Sequence, residues 1–117
     1  MAVLLVGCQE NEHEATDNPL PEGTVQVSYN EVKEATDYEN IAVLDVRSHA
    51  EYERGNIAGA ISMPLDQMPL YFDELASYDA IVVYCHTNNR AQEAFELLSN
   101  RFDNVYIYEE GYEKCCS

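Results

Sequence analysis

Two short apolar runs constrain the fold more than any other feature of this 117-residue chain. Ile41 to Val46 and Ala80 to Tyr84 are almost continuously apolar and rich in β-branched side chains. Runs of this kind are typical of strands that are covered on both faces, as in the centre of a parallel sheet. The chain must therefore also supply helices that pack against both faces of a sheet.

Helical patterns lie between these runs and after them. Ser28 with Glu31, and Ser48 with Glu51, have the spacing of capping boxes, so a helix should follow each serine and the second helix should stop at Gly55. The other predicted elements are a strand at Val25 and Val27, a brief strand at Ile61 to Met63, a poorly formed helix after Pro69, a helix with one apolar face from Ala91 to Phe102, a strand from Val105 to Tyr108 and a final helix opened by Gly111.

The alternation of strands and helices predicts an α/β domain with a mostly parallel sheet and helices on both faces. The length suits one such domain, which we expect over residues 23–117, after a separate segment at residues 1–22. In such sheets ligands bind beyond the carboxyl ends of the strands, so the loops at that edge should carry any chemistry.

Charge and cysteine spacing exclude several classes of function. Lys and Arg number 6 against 22 Asp and Glu, for a net charge of −16, which disfavours nucleic acids and anionic lipid surfaces as partners. The cysteines at 8, 85, 115 and 116 lack the paired spacing of a zinc site, so no metal is expected. No stretch approaches the roughly 20 apolar residues of a membrane span.

The first 22 residues change character sharply at Cys8. Residues 2–7 are apolar, whereas residues 9–22 carry five acids and no base, as expected of a flexible acidic tether. Leu5, Val6 and Gly7 before Cys8 resemble the end of a bacterial lipoprotein signal. That resemblance implies a lipid on Cys8 and a place on the periplasmic side of a bacterial cell envelope, with membrane contact only through the lipid. If Cys8 is an incidental thiol that is not processed, a cytoplasmic location is expected.

The loop from Cys85 to Arg90 is the strongest candidate for chemistry. Its sequence is Cys-His-Thr-Asn-Asn-Arg, and it lies between a predicted buried strand and a predicted helix. Loop N–H groups, the N-terminus of the helix and the Arg90 charge should together favour the thiolate, which is the nucleophilic form of cysteine. The alternative is that Cys85 is one more buried apolar side chain, as free cysteines often are.

Several further motifs extend this loop into a family resemblance. The chain resembles rhodanese-like domains through the Cys85 loop, through the final stretch Tyr106 to Tyr112 with Gly111, and through a first signature consisting of Asp45, Val46, Arg47, Glu51, Tyr52, Gly55, Ile57, Gly59, Ala60 and Pro64. The resemblance implies a central five-stranded sheet and a cysteine that carries sulfur as a persulfide. It requires neither a metal nor an organic cofactor.

Loop length separates two chemistries within that resemblance. Four residues separate Cys85 from Arg90, whereas the related cell-cycle phosphatases and arsenate reductases have five, which widens the loop for a tetrahedral oxyanion. The shorter loop resembles that of the thiosulfate sulfurtransferases. These move sulfane sulfur from thiosulfate, a persulfide or a polysulfide to cyanide or a thiol. A non-catalytic rhodanese-like binding module is the main alternative, ahead of a phosphatase or an arsenate reductase, and a monomer is expected.

The resemblance assigns roles to individual residues. Cys85 is implied to be the nucleophile and persulfide carrier, and Arg90 to contact the anion. The substrate cradle is implied to consist of His86, Thr87, Asn88 and Asn89.

Other residues receive more ordinary interpretations. Asn88 stands where relatives often have glycine, so a positive φ there would be strained. Asp45 and Arg47 are expected to support the loops as a pair rather than to react. Cys115 and Cys116 are expected to be incidental thiols.

Overall fold

The structure, a computed structural model, describes residues 18–116. Its sheet has four strands, which are β1 (Ile41–Asp45), β2 (Ile61–Ser62), β3 (Ala80–Tyr84) and β4 (Val105–Ile107). Their order across the sheet is β2-β1-β3-β4, and all neighbouring strands are parallel. The two apolar runs form the central pair β1 and β3, and every residue of both strands is buried. The predicted α/β fold with a parallel sheet is confirmed.

The expected fifth strand is reduced to a single bridge. Gln26 pairs with Ile107 of β4, and Val25 and Val27 exchange main-chain hydrogen bonds with the same residue. The pairing stops there because Ser28 already caps the next helix. Four strands rather than five therefore make up the sheet within the described residues.

Helices cover both faces of the sheet. They are α1 (Tyr29–Ala35), α2 (His49–Arg54), a 3₁₀ helix (Leu65–Tyr71), α3 (Phe72–Leu75), α4 (Asn89–Ser99) and α5 (Gly111–Cys116). Both predicted capping boxes are present, and α2 ends at Gly55 as expected. The helix predicted after Pro69 begins earlier than expected, because the 3₁₀ helix starts at Leu65 and contains that proline.

Side-chain alternation along the strands divides the core into two layers. Leu44, Val83 and Cys85 pack on the face covered by α4, against Ala91 and Leu98. Val43, Val82 and Tyr84 pack on the opposite face, which α1 covers. Consecutive residues Tyr84 and Cys85 therefore lie on opposite sides of the sheet.

The ends of the described chain add three observations. Leu20 is buried among the residues of the α1 layer, so packing contacts of the domain begin at least three residues before the expected boundary at 23. Cys8 and the lipoprotein-like segment lie outside the described residues. The expectation that Cys115 and Cys116 are incidental thiols is wrong, because the structure joins them in a disulfide.

Residues 18–116 contain neither a helix that could span a membrane nor a cluster of side chains that could hold a metal ion. No helix in that range is long and apolar enough to cross a membrane. No group of three or more His, Cys, Asp or Glu side chains in that range is placed to hold a metal ion.

Candidate functional site

Cys85 lies directly after β3, at the carboxyl edge of the sheet. Its sulfur accepts a hydrogen bond from the main-chain N–H of Ala91, with an N–S distance of 3.2 Å. The side chain is only 1% exposed and packs in the apolar layer beneath α4. A donor is therefore directed at the sulfur, as a thiolate site requires, but a reagent reaches the sulfur only after a neighbouring group moves.

The loop supplies more main-chain donors than it uses. Within the described residues, the N–H groups of residues 86–90 donate to no main-chain or side-chain acceptor. Next in the chain, Ala91 donates to the Cys85 sulfur and Gln92 to the carbonyl of Asn88. Five consecutive N–H groups thus have no protein acceptor within residues 18–116, and the first turn of the 11-residue helix α4 adds partial positive charge at this end of the loop.

The first half of the loop is fixed by the start of α5. The N–H of Tyr112 donates to the carbonyl of Cys85 at 2.8 Å, and the N–H of Glu113 donates to that of His86 at 2.9 Å. Gly111 lies against the same segment at φ +80°, where an added Cβ would lie 2.5 Å from the His86 carbonyl oxygen and 2.8 Å from that of Thr87. Only glycine allows this close approach.

The end of the loop is held by an ion pair with α2. Arg90 donates two hydrogen bonds to the carboxylate of Glu51, at 2.7 and 3.2 Å. These bonds lower the pKa of Glu51 to about 2 and raise the pKa of Arg90. The Arg90 and Glu51 side chains are 39% and 24% exposed, so water reaches this pair. Arg90 directly precedes the residue that donates to the sulfur, but its charge is already paired with Glu51, and its contact with an anion stays a prediction.

A second carboxylate and guanidinium pair lies deeper, at the end of β1. Arg47 binds both carboxylate oxygens of Asp45, and it also donates to the carbonyl of Gly55 at 2.6 Å. The Tyr84 hydroxyl donates to Asp45 at 2.8 Å, and burial of this group raises its pKa. The main-chain N–H that donates to the Asp45 carboxylate is that of Arg47, which lies outside the Cys85 loop.

This buried pair supports the loop indirectly. The Arg47 guanidinium lies 4.2 Å from the centre of the Tyr112 ring, and the N–H of Tyr112 holds the carbonyl of Cys85. Arg47 and Tyr112 also line a depression of about 180 Å³ together with Glu51, Arg54, Gly55 and His86. Asp45 and Arg47 are thus paired as the sequence suggested, and their role in supporting the loop stays a prediction.

The remaining loop residues divide into exposed and partly buried ones. Thr87 and Asn89 are exposed, whereas His86 is partly buried with its ring 3.8 Å from the Glu113 carboxylate. Asn88 has an extended backbone with φ 179°, so the strain expected of a positive φ does not arise. Its side-chain oxygen is buried and, within residues 18–116, has no hydrogen-bond partner.

The family model of the rhodanese-like domain matches residues 28–117, which is most of the chain. The chain belongs to the rhodanese-like domain family. The human single-domain sulfurtransferase TSTD1 has a similar structure, with a TM-score of 0.63 and 25% identity, and the match covers 79% of this chain and 95% of that protein. The fold is thus that of a rhodanese-like domain with a single-domain sulfurtransferase among its structural neighbours.

Two curated bacterial proteins share part of their length with this rhodanese-like chain. YrkF of Bacillus subtilis, whose name describes a sulfur carrier, is 36% identical over 56 residues, which are 48% of this chain and 30% of that protein. A tRNA uridine(34) hydroxylase of Yersinia pestis is 36% identical over 89 residues, which are 69% of this chain and 25% of that protein. The chain therefore spans less than a third of these relatives.

Sequence reasoning did not predict the contacts that three residues make in the site. Glu51 was recognised as a capping residue, and the structure shows that it also holds Arg90, 39 residues away in the chain. Ala91 was assigned to the apolar face of α4, and its N–H reaches the sulfur. Tyr112 anchors the loop through its main chain, for which no side-chain pattern gives a signal.

Proposed function

We propose that this rhodanese-like domain is a sulfurtransferase that carries sulfane sulfur as a persulfide on Cys85. The observation that supports this most is the hydrogen bond from the Ala91 N–H to the Cys85 sulfur at the start of α4. Such surroundings stabilise negative charge on sulfur, and the thiolate is the form that attacks. The sulfurtransferase neighbour with the same fold points to the same chemistry.

The proposed reaction has two steps, each a displacement at sulfur. In the first, the Cys85 thiolate attacks the outer sulfur of thiosulfate, a new S–S bond forms, and the S–S bond of thiosulfate breaks to release sulfite. In the second, cyanide or a thiolate attacks the outer sulfur of the persulfide, and the Cys85 thiolate leaves. Electrons and charge balance in both steps, and no external oxidant is needed.

The pairing of Arg90 affects the choice of donor. Because Glu51 already binds the guanidinium, an incoming thiosulfate dianion has to displace that carboxylate or rely on the free N–H groups of residues 86–90. A thiol-borne persulfide carries at most one negative charge at its sulfur end, so this competition is weaker. We therefore propose that the domain accepts sulfur from such thiol-borne donors as well as from thiosulfate.

The test is a turnover assay with each donor. Thiosulfate plus cyanide, and glutathione persulfide plus cyanide, should both yield thiocyanate with the wild-type protein and only the uncatalysed background with Cys85→Ser. Serine keeps the size of the buried side chain, so a circular dichroism spectrum should show an intact fold. Equal thiocyanate formation by both proteins would overturn the proposal.

A non-catalytic binding module is the second candidate. The near-complete burial of Cys85 favours it, since a sulfur that no reagent reaches forms no persulfide. This candidate predicts background turnover by the wild-type protein with every donor, so the same assay separates the two.

We also propose that a lipid on Cys8 holds the domain at the periplasmic side of a bacterial envelope. The support is the sequence Leu-Val-Gly-Cys before an acidic segment. Fractionation of a bacterium that expresses the full chain should recover it with membranes, and Cys8→Ala should release it. Recovery of both forms in the soluble fraction would contradict the proposal.

A further inference from the structure

A groove of about 490 Å³ lies on the α4 side of the Arg90 and Glu51 pair. Its walls come from the turn after β2, the 3₁₀ helix and the exposed side of α4. The lining side chains that matter here are apolar ones and two acids, namely Val46, Leu65, Pro69, Leu97, Asp66 and Glu93. A cavity of this size accommodates a small organic molecule.

The groove adjoins the sulfur through two residues. Arg90 lines it and directly precedes Ala91, whose main-chain N–H donates to the Cys85 sulfur. Val46 also lines the groove, and it directly follows β1. Cys85 directly follows β3. The last residues of these two strands, Asp45 and Tyr84, are paired, so Val46 and Cys85 follow neighbouring strand ends. The outer sulfur of a persulfide lies about 2 Å beyond the cysteine sulfur, so the reacting atom extends past the buried thiol.

The charge of the groove differs from that of the smaller depression across the ion pair. In the smaller one, the charges besides the Glu51 carboxylate are the guanidinium groups of Arg47 and Arg54. In the groove, Arg90 is neutralised by Glu51, and neither Asp66 nor Glu93 has a basic partner within the described residues. The groove therefore combines an apolar floor with two uncompensated negative charges.

We propose that this groove is the acceptor site, and that it selects small thiols with an apolar body and a positive charge over anionic thiols. The inference rests on the proposed function, because it concerns the second step. The acceptor thiol loses its proton to solvent, its thiolate sulfur attacks the outer sulfur of the persulfide, and the Cys85 thiolate leaves. Asp66 and Glu93 then act as specificity residues, attracting the positive group of the acceptor while Leu65 and Leu97 contact its carbon atoms.

The test is a single-turnover measurement on the full protein after loading with persulfide. Transfer rates are compared for 2-aminoethanethiol, 2-mercaptoethanol and 3-mercaptopropionate, each divided by its thiolate concentration. The decisive quantity is the rate for the cationic thiol divided by the rate for the anionic thiol. Comparison of this ratio between variants cancels the intrinsic reactivity of each thiol.

The wild-type ratio should fall at least about fivefold in the Asp66→Asn, Glu93→Gln double variant, because two charges near the acceptor are removed. Leu97→Lys should lower it as well by adding a positive charge to an exposed position of the groove wall. The matched controls are Glu96→Gln, which lies on the same helix outside the groove, and Leu70→Lys, which is 78% exposed outside the groove. Neither control should change the ratio.

Two failures are distinguishable. If intact-mass measurement finds no persulfide on Cys85 during loading, the proposed function fails and the acceptor assay has no substrate. If the persulfide forms but the ratio is the same in the wild type, the double variant and Leu97→Lys, the acceptor site is elsewhere and this inference is overturned. Equal changes in the matched controls would overturn it too, since they would show an effect of overall charge.

Discussion

The two halves of the Cys85 loop are held in different ways. Residues 85–87 are fixed by main-chain hydrogen bonds from α5 and by the close approach of Gly111, and the buried Arg47 supports Tyr112 behind them. Arg90 at the other end is held by one water-accessible ion pair with Glu51. The segment that follows the sulfur is thus held by buried main-chain contacts, whereas a competing anion can reach the ion pair that holds Arg90.

The largest effect is expected from loss of the buried pair behind the first half of the loop. Arg47→Met leaves the fully buried carboxylate of Asp45 without its cation, which should lower the free energy of unfolding by about 3–5 kcal/mol. Urea denaturation measures this. Arg54→Met is the matched control at an exposed arginine and should stay within about 0.5 kcal/mol. Similar values for the two variants would show that the buried pair does not stabilise this half.

The next effect comes from Gly111, which presses on the first half of the loop directly. Gly111→Ala combines a positive φ with a Cβ that overlaps two carbonyl oxygens, so a loss of about 2–4 kcal/mol is expected. Gly23→Ala is the control, because Gly23 has φ +85° but nothing within 4 Å of the added Cβ. It should cost about 1 kcal/mol, from the backbone alone. Equal losses in thermal melting would refute the close packing of Gly111 against the loop.

The opposite half should respond to pH rather than to packing. The folded pKa of Glu51 is about 2 against an ordinary 4.5, so its bond to Arg90 stabilises the fold above pH 4.5, and that contribution disappears as the pH falls toward 2. Because water screens the pair, its contribution should be about 1 kcal/mol or less. Glu51→Gln should therefore be less stable than wild type at pH 7 and equal to it near pH 2.

The control for this pH effect is Glu31→Gln. Glu31 forms the same capping box with Ser28 but has no arginine partner among the described residues. Its difference from the wild type should change less with pH than that of Glu51→Gln. If both variants show the same pH dependence, the capping box rather than Arg90 is responsible.

The smallest effect is expected at the far end of α5. The disulfide between Cys115 and Cys116 closes no chain loop, so Cys116→Ser should change the free energy of unfolding by less than about 0.5 kcal/mol. Urea denaturation of this variant, and of the wild type with a phosphine reductant, checks it. A loss as large as that of Gly111→Ala would mean that the end of α5, and not only its start, holds the loop.

Local patterns predicted much of the fold. Ser28 with Glu31 predicted the start of α1, and the apolar runs predicted β1 and β3, because these features depend on neighbours in the chain. The prediction of a fifth strand was wrong, because only one bridge forms at Gln26. Strand pairing depends on how many residues remain before the next helix.

Within the site, the sequence predicted the position of the loop but not the long-range hydrogen bonds that hold it. Cys85 and Arg90 stand at recognisable positions around a strand end. The bonds from Arg90 to Glu51 and from the Tyr112 N–H to Cys85 join segments 39 and 27 residues apart, and only the folded chain brings them together. The burial of the sulfur likewise follows from packing across the sheet rather than from any local pattern.

Formation of a persulfide on the buried Cys85 sulfur is tested most directly by intact-mass spectrometry after incubation with thiosulfate. The wild-type protein should gain one sulfur atom, about 32 Da, localised to Cys85 by peptide mapping and removed by cyanide. Cys85→Ser should gain nothing. A wild-type protein that stays unmodified at every thiosulfate concentration would show that Cys85 forms no persulfide. A mass gain that persists in Cys85→Ser would show that another residue takes up the sulfur.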